Sequence, residues 1–147
     1  MLRKKQFGLI LLPVVLVGGF VFGNLLQPQE IVGAQSDRVF ELRTYTTNDG
    51  KLPNLLARFR DHTTQIFEKH GMTNVGYWVP EDAKDHPAST LIYVISHDSR
   101  DAATENWRTF RDDPEWKRVA EESRRDGRIV ANVESVFMKA TDFSRLH

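Results

Sequence analysis

Leu91-Ile92-Tyr93-Val94-Ile95 is a run of five apolar or aromatic residues with no polar position to turn toward water. A run this short reads as a β-strand, and a strand that is apolar on both faces needs cover on both. Upstream, Val39 to Tyr45 alternates, with Phe40 and Leu42 on one face and Glu41, Arg43 and Tyr45 on the other. Thr47-Asn48-Asp49-Gly50 is turn chemistry. Pro53 fits the first turn of a helix, where its missing N–H costs nothing, and Leu52, Leu55, Leu56, Phe59, Ile66 and Phe67 make one apolar stripe along it. Gly71 follows as a left-handed cap. Val75, Tyr77 and Val79 alternate in a second strand, and Pro80 to Ser89 is a charged loop.

Downstream, Asp98 or Ser99 opens a helix carrying Ala103, Trp107 and Phe110. Asp113-Pro114-Glu115-Trp116 restarts the helix with an acidic cap, a proline at the first position and a glutamate facing the dipole. Trp116, Val119 and Ala120 form its buried side, and Gly127 ends it. Ile129, Ala131, Val133, Ser135 and Phe137 then line one face of a fourth strand. The order β-α-β-β-α-α-β predicts an α+β, ferredoxin-like sandwich: a four-stranded antiparallel sheet with helices on one face. No further layer is available for the other face of the third strand. A second copy supplies it economically, so a two-fold homodimer is expected; the plainer alternative is a monomer with a few exposed apolar side chains.

The chain has 147 residues, with 20 Lys+Arg against 20 Asp+Glu. That balance shows no nucleic-acid footprint. Cysteine is absent, which excludes disulfides, thiolate metal sites and cysteine nucleophiles. Arg3, Lys4 and Lys5 precede an uncharged stretch, residues 7–26, long enough as a helix to reach about 30 Å, the thickness of a bilayer core. Residues 1–34 are therefore expected to be either a signal peptide, cleaved after Val32-Gly33-Ala34, or a membrane anchor. Residues 35–38 form a linker and 39–147 the folded domain. The basic front favours a cytoplasmic N-terminus, so the domain is expected to be exported across the cytoplasmic membrane, periplasmic or secreted, or tethered to it.

The segment Phe40-Glu41-Leu42-Arg43-Thr44-Tyr45, then Gly50 and Leu52 opening a helix, then Asp113-Pro114-Glu115-Trp116, resembles the NIPSNAP family. The resemblance runs from about Val39 to Phe143 and implies a dimeric α+β barrel of ferredoxin-like subunits. Better-known members are mitochondrial proteins of animals, linked to vesicle traffic and mitochondrial quality control; the leader here has the look of bacterial export, so those roles are not carried over. The wider barrel superfamily includes cofactor-free monooxygenases, haem-degrading enzymes, decarboxylases and dehalogenases, which is an analogy of fold alone.

Glu41, Arg43 and Tyr45 share one face of the first strand. They are suited to a ligand cradle, or to a Glu–Arg pair that fixes register at the subunit junction. His62 falls between Phe59 and Ile66 at helical spacing, suited to a general base beside a cavity or to a hydrogen-bonded histidine at the core margin. His97 ends the third strand on the Leu91-Tyr93-Ile95 face, where it looks into a pocket mouth or begins the turn at Asp98. Tyr93 completes the ligand-binding candidates Glu41, Arg43, Tyr45 and His62; His62, His97 and Arg43 are the catalytic ones. His70 is expected to interact with the helix C-terminus. Trp78, Trp107 and Trp116 read as core, or as the wall of an aromatic site. Arg124-Arg125-Asp126-Gly127-Arg128 reads as a solvated helix end or as a binder of anionic groups. No metal-ligand spacing, phosphate loop or serine elbow occurs, and no cofactor is expected. The leading expectation is a homodimeric module binding a small apolar or aromatic ligand or a protein. The alternative is a cofactor-independent oxygenase or isomerase.

Overall fold

The computed structural model describes residues 37–146; the expected leader, its cleavage site and the start of the linker lie outside the described residues. Strand β1 (Val39–Thr47) leads into helix α1 (Leu52–Arg58), a π-helical turn over Phe59–Thr63, and α2 (Thr64–Lys69). Then come β2 (Thr73–Trp78), β3 (Thr90–His97), α3 (Arg100–Asp112), α4 (Pro114–Glu122) and β4 (Val130–Met138). The sheet order is β2-β3-β1-β4, with every neighbouring pair antiparallel. This is the α+β ferredoxin-like sandwich that the element order predicts.

Cap chemistry sets the helix boundaries. The Ser99 side chain accepts from the Ala102 N–H at 3.0 Å and starts α3. Asp113 Oδ1 accepts from the backbone N–H of Glu115 at 2.7 Å and of Trp116 at 3.2 Å, and Pro114 follows it at the first helical position of α4. Gly71 has φ 75°, the left-handed conformation that closes α2 and turns the chain into β2. Asp113 also reaches back across the helical layer. Its Oδ2 lies 2.8 Å from Lys69 Nζ and 2.7 Å from His70 Nε2. His70 therefore joins α2 to the start of α4, where the sequence had it serving the end of its own helix.

Two local irregularities depart from the sequence pattern. The first helix is not continuous: the Thr64 N–H bonds to Phe59 O, five residues back, and the Thr63 hydroxyl donates to Arg58 O at 3.2 Å. This extra residue shifts the phase of the apolar stripe between Phe59 and Ile66. In β2 the pairing steps from Asn74↔Ile95 to Gly76↔Val94, a bulge at Val75. Simple alternation puts Val75 and Tyr77 on one face. The bulge separates them: Val75 lies beside Phe40, Trp78 and Val94, whereas Tyr77 stacks on Tyr93 with ring centroids 5.4 Å apart.

The core fills the space between helices and sheet. Leu55, Phe59, Ile66 and Phe67 from the first helical segment meet Leu91, Tyr93 and Ile95 of β3, with Phe110, Val119 and Ile129 closing the layer. Tyr93 is 0% exposed and sits among the rings of Tyr45, Phe59, Phe67 and Tyr77. Among the described residues no helix packs on the opposite face of the sheet. There Trp78 is 52% exposed and Val136 55%. Phe40, Val75, Trp78, Val94 and Met138 border a shallow groove of about 310 Å³ that the C-terminal tail, through Leu146, partly roofs. Among the described residues no helix is long and apolar enough to cross a membrane.

Candidate functional site

β1 lies between β3 and β4, and its helix-facing positions set up the polar centre of the molecule. The register pairs Glu41 with Ile95 and Phe137, Arg43 with Tyr93 and Ser135, and Tyr45 with Leu91 and Val133. Glu41, Arg43 and Tyr45 therefore point toward α3 and α4. They do not face the uncovered side of the sheet, so the reading that places them at a junction through that side is set aside.

Glu41 is buried, yet both its oxygens are fully occupied. Oε1 accepts from Arg43 Nη1 and from the Ser135 hydroxyl, each at 2.6 Å. Oε2 accepts from the Trp107 indole N–H at 2.6 Å and faces His97 Nε2 at 3.3 Å. Burial pushes the carboxyl pKa up, but the hydrogen bonds from His97, Ser135 and Trp107 and the charge on Arg43 outweigh it and hold the group down at about 2. Glu41 is thus a permanent carboxylate with no acceptor capacity to spare. Arg43 carries the matching charge. Its guanidinium lies over Trp107, 4.4 Å from the ring centroid, and its Nε is buried without a hydrogen-bond partner.

His97 is wired on both sides. The Asn106 side-chain amide donates to Gly71 O at 2.9 Å and lies 3.2 Å from His97 Nδ1. An amide N–H directed at Nδ1 leaves the ring proton on Nε2, where it donates to Glu41. Asn106, His97 and Glu41 form a chain that orients the carboxylate and presents no free imidazole lone pair.

Above this chain a groove of about 510 Å³ opens between β1/β4 and α3/α4. Glu41 and Arg43 form its floor, with Trp107, Phe110, Trp116 and Phe137 as aromatic walls. Arg100 and Arg111 stand at its sides, the former with its guanidinium carbon 3.3 Å from the Phe137 ring centroid. The volume suits a small organic molecule.

Of the residues expected at a site, the structure brings together Glu41, Arg43, Tyr45 and His97. It does not bring in two others. His62 sits half-buried on the π-helical turn and does not line the groove. Tyr93 lies wholly within the core, out of reach of a ligand. Trp107 and Trp116 wall the groove, while Trp78 lies on the uncovered face. Sequence reading does not single out Ser135, Asn106 or Arg58. Only Arg58 leaves a local signal, as an arginine three residues after Leu55 on an otherwise apolar stripe.

The arrangement defines a class: a ferredoxin-like domain with an arginine-floored aromatic groove between its sheet and its second helical pair. Residues 40–145 match the NIPSNAP family model, and the chain belongs to the NIPSNAP family. A NIPSNAP family protein of unknown function from Agrobacterium tumefaciens is 26% identical, with a TM-score of 0.65 over 76% of this chain and 96% of that one. A second NIPSNAP family protein from the same organism is 23% identical, with a TM-score of 0.64 over 75% and 99% of the two chains. A NIPSNAP-like domain protein from Burkholderia xenovorans shares the fold at 12% identity, with a TM-score of 0.64 over 74% and 90%. No curated protein matches the chain.

Proposed function

We propose that this NIPSNAP domain binds a small apolar or aromatic molecule in the groove between β1/β4 and α3/α4, and that it does so as a homodimer joined through the uncovered face of the sheet. The observation that carries the ligand reading is the groove itself: four aromatic rings around an Arg43–Glu41 pair whose carboxylate is already satisfied. A saturated carboxylate and a doubly bonded imidazole favour binding over turnover, because a general base needs a free lone pair within reach of the substrate. Among the described residues, neither Glu41 nor His97 offers the oxygenase or isomerase reading such a group in the groove. Export or tethering by residues 1–34 belongs to the same proposal and rests on the sequence alone; a mass spectrum of the cell-derived chain beginning at Gln35 supports cleavage.

The test of the ligand reading is mass spectrometry of small molecules released from the purified chain, paired with thermal-shift measurements on the wild type and on Trp107→Ala. An aromatic or apolar compound that co-purifies, stabilises the wild type and fails to stabilise the variant is the expected outcome. A compound that stabilises both equally, or a catalytic rate abolished by Arg43→Lys, would overturn it.

A further inference from the structure

Tyr45 and Trp116 also border a second pocket, of about 450 Å³. Its other walls are Arg58, Arg124 and Arg128 and the apolar Ile129, Val130 and Val133. Three arginines and no acid line it, and among the described residues none of the three forms an ion pair with a carboxylate. Arg58 is the unusual member. It is only 9% exposed; its Nη1 donates to the Ser123 hydroxyl at 3.2 Å, and its Nε is buried with no partner. The guanidinium carbon stands 5.3 Å from the Trp116 ring centroid.

Burying a guanidinium without a counter-charge is costly, and such groups are ordinarily paired. Burial pushes the Arg58 pKa down; Tyr45 and Tyr93 oppose this, and the nearby positive Arg124 adds to it. The two outer arginines are held by the backbone. Arg124 Nε donates to Ala120 O at 2.8 Å, and Arg128 Nε donates to Val130 O at 2.7 Å. Each guanidinium carries five N–H donors, so donors remain on all three.

We propose that this pocket binds a small organic acid, a carboxylate or phosphate monoester on an aromatic or short apolar body, with Arg58 gripping the anion from below, Arg124 and Arg128 at the rim, and the body against Ile129, Val130 and Val133. Planar guanidinium groups match both anions in two-point fashion, and a desolvated, unpaired arginine makes the strongest such contact. The site adjoins the aromatic groove through Tyr45 and Trp116 but has its own anion grip: none of its three arginines hydrogen-bonds Glu41 or Arg43, and Trp107 does not line it.

Calorimetric titration of the full chain with benzoate, phenyl phosphate and the neutral benzyl alcohol tests this. The two acids should bind one to one, more weakly at high salt, with the alcohol at least about tenfold weaker. Arg58→Met keeps the bulk and removes the charge, and should weaken the acids by about tenfold to a hundredfold. If that variant fails to fold, the double variant Arg124→Gln/Arg128→Gln, at two exposed positions, decides the matter by a loss of several-fold. Trp107→Ala should leave acid affinity unchanged, so failure of the groove reading and of this one are distinguishable. Absence of binding by both acids, equal binding of the alcohol, or acid affinity unaltered in the arginine variants would each overturn the proposal.

Discussion

Glu41 accepts from an arginine, a serine, a tryptophan and a histidine at once, and its depressed pKa has a consequence for stability. The group titrates near the ordinary 4.5 when unfolded and at about 2 when folded. A depressed folded pKa contributes stability that is fully present above the unfolded value and is lost as pH falls through the folded one, so the window is between about 4.5 and about 2. The ceiling on this contribution is about 3 kcal/mol, less whatever water at the partly exposed Arg43 screens. Glu41→Gln should therefore be destabilised at neutral pH, where Arg43 loses its counter-charge. Its urea midpoint should converge on that of the wild type as the acid limb is descended; parallel curves across that window would show that Glu41 is not the group responsible. Tyr93 supplies the opposite case. Its hydroxyl is buried with no well-formed hydrogen bond and only the Tyr45 side chain beside it, and burial, with Tyr45 adding to it, drives its pKa well above the ordinary value. Tyr93→Phe removes a desolvated polar atom and keeps the ring, so it should be neutral or more stable by about 1 kcal/mol. A large loss in the thermal midpoint would mean the hydroxyl is satisfied after all.

At the scale of elements, Asp113 joins two functions that sequence reading separates. As the cap of α4 it accepts two backbone N–H groups, and as a charge it holds Lys69 and His70 at the end of α2. The hydrogen bond from Lys69 lowers its pKa; burial opposes, and His70 and the two backbone donors add to the lowering. Asp113→Ala should cost about 1–2 kcal/mol through the lost cap alone. Asp113→Asn, which still caps, should recover most of that in a denaturant titration, and equal losses would show that the link to α2 dominates. The cap was legible because Asp-Pro-Glu is local. The alternation of β1 and the doubly apolar β3 were legible for the same reason, and with them the topology. The bulge at Val75 was not, since it depends on how β2 slides against β3. The π-helical turn was not, because an apolar stripe tolerates one extra residue without changing its composition. The network at Glu41 was beyond reach in sequence terms: Trp107 and Ser135 approach it from 66 and 94 residues away, and only the folded sheet and α3 bring them together.

For the molecule as a whole, the uncovered face of the sheet raises the question of what lies against it. Trp78 and Val136 are more than half exposed, Met138 is at the margin of exposure, and the C-terminal tail covers only part of the surface beside Phe40 and Val94. Among the described residues nothing more of a lone subunit covers this apolar area, whereas two subunits placed face to face remove it from water; a stable dimer of this kind buries about 1,600 Å² in total. The face groups Phe40, Leu42, Val94, Val136 and Met138, with Thr44 and Glu134 next to them, and a two-fold contact would bring this mainly apolar patch against its own copy. Val136→Glu discriminates between the two states. On a monomer it places a charge at a solvent-exposed edge-strand position and should change stability little. Across a dimer contact it buries an unpaired carboxylate and should weaken association by orders of magnitude. Light scattering at micromolar concentration should give twice the mass of one chain for the wild type and a single mass for the variant, with unchanged circular dichroism. A wild type that runs as a single chain, or a variant that still doubles, would remove the uncovered face as the joining surface and leave the aromatic groove to act in an isolated subunit.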